Sequence, residues 1–347
     1  MLTENEIRKN YDTYLEERRK KLEVSYLPLY ATINIEARCN FKCKYCIYHG
    51  PEKKYNCNYS YTFEQIKDEI DLLLKHNIPK IHICGIGEPF LNKDIFRVFD
   101  YLNSKGQRTS ILSNCSKIVS DKISKIVDAD LLCFSTDLDA SNKEDYNWLC
   151  GRDDFDILLD NLKKIIALKN DKKKDLKIQV NTIITKKYLH QLKEIGYILK
   201  ELGVDMWALM FLAVNYEDAG FLTRENTLFN EPELVYPVVK ELEEFTSKNK
   251  IDFYYPYFFK EDFPNSSLHC VKPYTQIMLN IPSPDISQDE IYGNVSPGCY
   301  PDFPSYGNLF RNSFDEIWNG KKIVDMRRKL NNFEHFRCKH LCAYHPF

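Results

Sequence analysis

The stretch Cys39-Asn40-Phe41-Lys42-Cys43-Lys44-Tyr45-Cys46 carries three thiols in the spacing C-x3-C-x2-C and follows an apolar run from Tyr30 to Ile35. That order puts three thiolate donors on one short loop directly after a strand candidate. Iron–sulfur clusters are held by cysteine thiolates, and four irons take four ligands. Three protein ligands leave one iron open to a small molecule that binds through an amine and a carboxylate. The competing readings are a zinc loop or spare buried thiols. Zinc sites usually close with four ligands, often as paired C-x2-C units.

Outward from this loop, short apolar runs alternate with helical patterns. Strand candidates are Ala31–Ile35, Lys80–Cys84, Arg108–Leu112, Leu131–Ser135, Lys177–Ile183 and Met206–Leu212. Helices are expected near 62–76, 92–104, 120–127, 154–170, 188–202 and 232–249, the first opened by a capping box of Thr62 and Gln65. Residues 3–24 read as a surface helix ahead of the core. Six strand-then-helix units at short spacing predict an α/β fold with a parallel sheet and right-handed crossovers. An open partial (β/α)6 TIM-like barrel suits six units better than a closed eight-stranded one, and barrel chemistry belongs at strand C-terminal ends. The cysteine triplet lies where such a site belongs. The expected organisation is a helical extension over 1–28, the barrel over 29–250, and a linker with a small cluster domain over 251–347.

The chain has 347 residues, with 48 basic against 50 acidic side chains and a net charge of −2. That near balance argues against nucleic acid or an acidic membrane as partner. No apolar run reaches the length of a membrane span, and the charged N-terminus is not a secretory signal, so the expected location is cytoplasmic. Twelve cysteines in such a chain point to metal or redox chemistry before disulfides.

Past the second strand comes Gly85-Ile86-Gly87-Glu88-Pro89. Two glycines allow close approach of the backbone, and Glu88 can accept a hydrogen bond from an ammonium group. Ser113-Asn114 follows strand three and Ser135-Thr136-Asp137 follows strand four, both otherwise ordinary turn and capping residues. Asn181 lies inside strand five. Cys84 and Cys133 read as small buried strand residues, and Cys115 and Cys150 as loop thiols at the active end. In the tail, Cys270 and Cys299 are separated by 28 residues, and Cys338 and Cys342 follow as C-x3-C. Four thiolates close a second cluster completely, or a structural zinc site.

Together these motifs resemble the radical S-adenosylmethionine (SAM) family. The resemblance implies that Cys39, Cys43 and Cys46 hold a 4Fe-4S cluster whose open iron takes SAM. It implies that Gly87 and Glu88 belong to the family's GGEP-like grip on the SAM amino group, although Ile86 stands where the family has its first Gly. Tyr45 occupies the aromatic position near adenine. Asn114, Ser135 and Asp137 suit the ribose hydroxyls and the SAM carboxylate, Asn181 the nucleoside, and Arg152 the carboxylate or merely the surface.

The segment GNVSPGCYPDFPSYGNLFRNSFDEIWNG is similar to the auxiliary-cluster domain of SPASM and Twitch enzymes. The four-cysteine tail fits the shorter Twitch form, and Trp318 reads as a packing anchor. CVKPYTQIMLN, GNVSPGC and the closing C-x3-C resemble 2-deoxy-scyllo-inosamine dehydrogenase-like enzymes. The resemblance implies a SAM-derived radical and hydrogen abstraction from a substrate C–H. An electron then passes to the auxiliary 4Fe-4S cluster of Cys270, Cys299, Cys338 and Cys342. The partners implied are an electron donor such as flavodoxin or ferredoxin and a substrate. The substrate is a small alcohol, sugar or cyclitol in the favoured reading, and a ribosomally made peptide in the alternative. A non-catalytic iron–sulfur or zinc protein is the remaining class.

Overall fold

The computed structural model describes residues 21–51, 53, 55, 57–212, 221, 225–228, 231–255, 272–296 and 303–332. Its strands in chain order are β1 (Tyr30–Asn34), β2 (Ile81–Cys84), β3 (Ser110–Leu112), β4 (Cys133–Asp137) and β5 (Lys177–Ile184). They continue as β6 (Met206–Phe211), β7 (Asp252–Tyr254), β8 (Gln276–Leu279), β9 (Asn294–Ser296) and β10 (Gly307–Asn308). The described residues fall into two compact units. One is drawn from residues 1–38, 57–109 and 269–339, the other from 39–56, 110–268 and 340–347.

In the first unit the strands run in the order β10-β9-β8-β1-β2. β1 is parallel to both neighbours, with Ala31 opposite Ile81 on one side and Ile277 on the other. β9 is antiparallel to β8 and to β10. Four of the five β1 residues are buried, as expected for a parallel strand covered on both faces. The helix Phe63–Lys75 starts at the Thr62/Gln65 capping box and buries Ile66, Ile70 and Leu73 along one stripe. Trp318 is buried and donates its indole N–H to the Tyr26 carbonyl at 2.8 Å, which makes it a packing anchor. The helices Phe314–Trp318 and Lys321–Asn331 belong to the same unit.

In the second unit the order is β3-β4-β5-β6-β7, and every pair is parallel. The longest register joins β5 to β6, from Gln179 opposite Met206 to Ile184 opposite Phe211. Helices intervene between successive strands, as right-handed crossovers require. The helix Leu192–Leu202 ends at Gly203, whose φ of +78° supplies the left-handed C-cap.

The six expected strands and six expected helices all form, and four details differ. Of the helix expected over 3–24, residues 21–24 are not helical and 3–20 lie outside the described residues. β4 runs from Cys133 to Asp137, two residues later at each end than expected, so Asp137 lies within the strand and not beyond it. A further helix, Lys143–Cys150, is capped by Asn142, whose side chain accepts from the Asp145 amide. Cys150 therefore ends a helix and does not sit on a loop. Cys84 and Cys133 are partly exposed, whereas Cys115 is wholly buried at a positive φ of 62°.

Candidate functional site

The cysteine loop is fixed by its own backbone and by its neighbours in the second unit. The Cys46 amide donates to the Cys43 carbonyl at 3.0 Å, and the Gly50 amide to the Cys46 carbonyl at 2.9 Å. A β-carbon on Gly50 would collide with the carbonyl oxygens of Cys43 and Cys46, so only glycine closes this turn. The Lys42 amide donates to the Cys150 carbonyl at 3.1 Å and the Lys44 amide to that of Leu149 at 2.8 Å. These two bonds dock the loop on the end of the helix Lys143–Cys150. Asn40 donates to the Ser116 hydroxyl at 2.7 Å and accepts from Asn114 Nδ2 at 3.2 Å. Asn114 thus holds the cysteine loop directly, from the loop after β3.

The donor set suits a cluster. Among the described residues the three loop cysteines form no disulfide. Backbone amides already point at two of the sulfurs: Phe41 N–H donates to Cys39 Sγ at 3.4 Å, and His49 N–H to Cys46 Sγ at 3.3 Å. Such bonds favour the thiolate and tune a cluster. Burial, and then the neighbouring Cys43, pushes the Cys46 thiol up to about 11, a proton that a bound cluster would displace.

Beside the loop lie two carboxylates, Asp137 and Asp139. Asp137, the last residue of β4, accepts from Asn181 Nδ2 at 2.9 Å, and Asn181 accepts from Gln179 Nε2 at 2.7 Å. Asp139 accepts from the Tyr45 hydroxyl and from the Ile183 amide, the latter at 2.7 Å. Burial and then the charge of Asp137 push Asp139 up to about 7, while burial raises Asp137 against the pull of Asn181. Burial, and then Asp139, keeps the Tyr45 phenol protonated. Sequence reasoning missed Asp139. The signal available was a second Asp two positions after Asp137.

Arg152 is half-exposed and donates its Nε to Asp154 at 2.8 Å, so it makes a local pair. Ser135 contacts the Cys133 thiol, and its carbonyl accepts from the Ser113 amide at 3.0 Å.

Gly87 and Glu88 belong to the first unit. A β-carbon on Gly85 would lie 2.8 Å from the Glu36 carbonyl oxygen, and one on Gly87 would collide with that of Arg38. The two glycines therefore allow this turn to press on the chain that leaves β1. The Gly87 amide donates to Glu36 O at 3.1 Å and the Glu88 amide to Arg38 O at 2.8 Å. The Glu88 side chain is buried and caps the turn Pro89–Leu91 through the Phe90 amide at 3.0 Å. Glu36 is wholly buried and accepts from Arg38 Nε at 2.8 Å and from Ser60 at 2.7 Å. Asn92 donates to the Ile35 and Tyr61 carbonyls. These supports of the chain before Cys39 were also missed, because single polar residues carry no spacing signal. Cys270, Cys299, Cys338 and Cys342 lie outside the described residues.

Comparison with known proteins adds a family and a fold. The pattern of the Radical SAM superfamily matches residues 33–177, and that of SPASM, an iron–sulfur cluster-binding domain, matches residues 290–343. GTP 3′,8-cyclase of Aliarcobacter butzleri (strain RM4018) is 30% identical over 165 residues, 44% of this chain and 46% of its own. PqqA peptide cyclase of Bradyrhizobium diazoefficiens is 23% identical over 232 residues, 67% of this chain and 56% of its own. The match thus spans about half the length of these curated relatives. The crystal structure of Streptococcus suis SuiB bound to precursor peptide SuiA superposes with a TM-score of 0.68. It covers 92% of this chain and 71% of SuiB at 15% identity, a likeness of fold. The fold class is therefore the expected one, a mostly parallel α/β sheet of the partial-barrel type with an iron–sulfur domain toward the C-terminus. No described helix is long and apolar enough to cross a membrane.

Proposed function

Because the chain belongs to the radical SAM superfamily and carries a SPASM iron–sulfur domain, we propose that it is a radical SAM enzyme that oxidises its substrate. The family's cofactors are a 4Fe-4S cluster, an auxiliary cluster and SAM. When bound, they supply a 5′-deoxyadenosyl radical, made by one-electron cleavage of SAM, and an acceptor for the electron left on the substrate.

The observation that carries this reading is the loop from Cys39 to Gly50. It offers three thiols on a turn that only glycine closes, with two amides aimed at the sulfurs. Cys39, Cys43 and Cys46 are the proposed ligands of the first cluster, and Cys270, Cys299, Cys338 and Cys342 those of the second. The proposed division is barrel 29–250 and cluster domain 251–347, after an extension over 1–28. Tyr45, Asn114, Ser135, Asp137 and Asn181 bind and orient the nucleoside and carboxylate of SAM. Gly87 and Glu88 hold its amino group, and Arg152 is the outermost candidate. An electron donor of the flavodoxin or ferredoxin type starts the reaction.

A peptide is the better supported substrate. PqqA peptide cyclase acts on a peptide by its name, and SuiB is bound to one. A small alcohol or nucleotide is the second reading, favoured by the GTP cyclase relative and by the dehydrogenase-like tail segments. Anaerobic incubation of the reconstituted protein with short peptides, cyclitols and nucleotides tests both. The expected product is a peptide lighter by two hydrogens. A redox-neutral product such as an epimer overturns the oxidation.

A further inference from the structure

We infer that Asp139 is a positioning residue that locks the cysteine loop to β5 through the hydroxyl of Tyr45. This rests on the radical SAM reading above.

β4 and β5 stay in parallel register to the pair Asp137 and Asn181. Two more bonds carry the pairing past the strand end. The Leu138 amide donates to the Asn181 carbonyl at 2.9 Å, and the Thr182 hydroxyl to the Leu138 carbonyl at 2.8 Å. At the next residue β4 has turned away, and the Ile183 amide needs an acceptor. Asp139 Oδ1 supplies it at 2.7 Å. The second oxygen, Oδ2, is then left facing the cysteine loop and takes the Tyr45 hydroxyl. One carboxylate therefore spans two elements, one oxygen on each.

Asp139 is 2% exposed. A buried carboxylate is tolerated only when its oxygens are hydrogen-bonded, and here each oxygen has one protein donor. Tyr45 is the residue between Lys44, whose amide is docked on Leu149, and Cys46. Fixing its ring sets the backbone from which the third thiol projects. No other residue links β5 to the cysteine loop by side chain in this way among the described contacts. The remaining carboxylate, Asp137, bonds across to β5 alone.

The test uses the full chain, anaerobically reconstituted, as wild type, Tyr45→Phe, Asp139→Asn, Asp139→Ala and the Tyr45→Phe/Asp139→Ala pair. Readouts are iron content, the SAM dissociation constant by equilibrium binding, and the EPR spectrum of the reduced triplet cluster with and without SAM. Removing the hydroxyl alone is expected to raise the SAM dissociation constant about tenfold, the order of one charge-assisted hydrogen bond, with iron content unchanged. Asp139→Ala is expected to lose at least as much, and the pair no more than Asp139→Ala. Asp139→Asn keeps the acceptor for Ile183 and turns an amide toward Tyr45, so it folds and recovers part of the affinity. It serves where Asp139→Ala does not fold. Variants that match a SAM-binding wild type, or losses that add in the pair, overturn the inference alone. A wild type that takes up neither iron nor SAM overturns the reading beneath it and the inference with it.

Discussion

Gly87 lies so close to Arg38 that a β-carbon at that position would collide with the Arg38 carbonyl oxygen, while the Gly87 amide donates to Glu36 at 3.1 Å. The two stretches of chain are packed backbone on backbone over the three residues before the first cysteine of the loop. Gly87→Ala is expected to force them apart and to destabilise the protein by about 2 kcal/mol, as overpacking does. Urea unfolding of the purified variant measures this. Ile86→Gly, at the neighbouring position, is the control.

Gly50 makes the matching approach inside the loop, against the carbonyl oxygens of Cys43 and Cys46. Gly50→Ala is expected to lower the iron held after reconstitution toward that of a variant lacking the three loop cysteines. Its unfolding midpoint should move less than its iron content, because the strain falls on one loop outside the sheet. Colorimetric iron assay and thermal melting of the same sample separate the two.

Glu69 gives a pH signature that owes nothing to the clusters. It is wholly buried on the helix Phe63–Lys75 and accepts from Asn280 Nδ2 at 3.1 Å. Burial pushes its carboxyl up from 4.5 to about 8, against the pull of Asn280. The folded state therefore holds the proton more tightly than the unfolded chain. The stability this group contributes is full below pH 4.5 and is lost as pH rises through 8. At about 1.4 kcal/mol per pH unit, wild type should lose roughly 3 kcal/mol relative to Glu69→Gln between pH 5.5 and 8.5. Unfolding titrations of both proteins at the two pH values check the sign.

Asp205 pins the start of β5. It accepts from Lys169 Nζ at 2.6 Å and from the Ile178 amide at 2.7 Å, and Lys169 also donates to the Leu176 carbonyl. Lys169 is almost wholly buried, so removing its partner strands a charge. Asp205→Ala is expected to cost about 3–5 kcal/mol, with a wild-type EPR spectrum in whatever fraction folds. A loss below 1 kcal/mol in equilibrium unfolding contradicts the pairing.

The long strands and helices were legible because their apolar periodicity is set by burial on one face or two. β7 and β8 were not. β8 is four residues joined directly to the short helix Lys272–Thr275, too short for any period to emerge. The start of β4 was read early because Leu131 is buried without being in the strand; burial alone drew the boundary outward. The cysteine triplet stood out because its three thiols lie within eight residues. Asp139 was not, because its partners Tyr45 and Ile183 stand 94 and 44 residues away. Locally, Asp-Leu-Asp-Ala-Ser reads as ordinary turn chemistry. Contacts made only by the fold leave no mark on spacing.

The most direct measurement is SAM cleavage by the anaerobically reconstituted chain under reductant, beside a variant with Cys39, Cys43 and Cys46 all changed to Ala. Wild type should carry roughly eight irons per chain and release 5′-deoxyadenosine and methionine. The variant should keep roughly four irons, those of the tail cluster, and release neither. A wild type that binds zinc in place of iron, or a variant that forms 5′-deoxyadenosine at the wild-type rate, would contradict a radical begun at this loop.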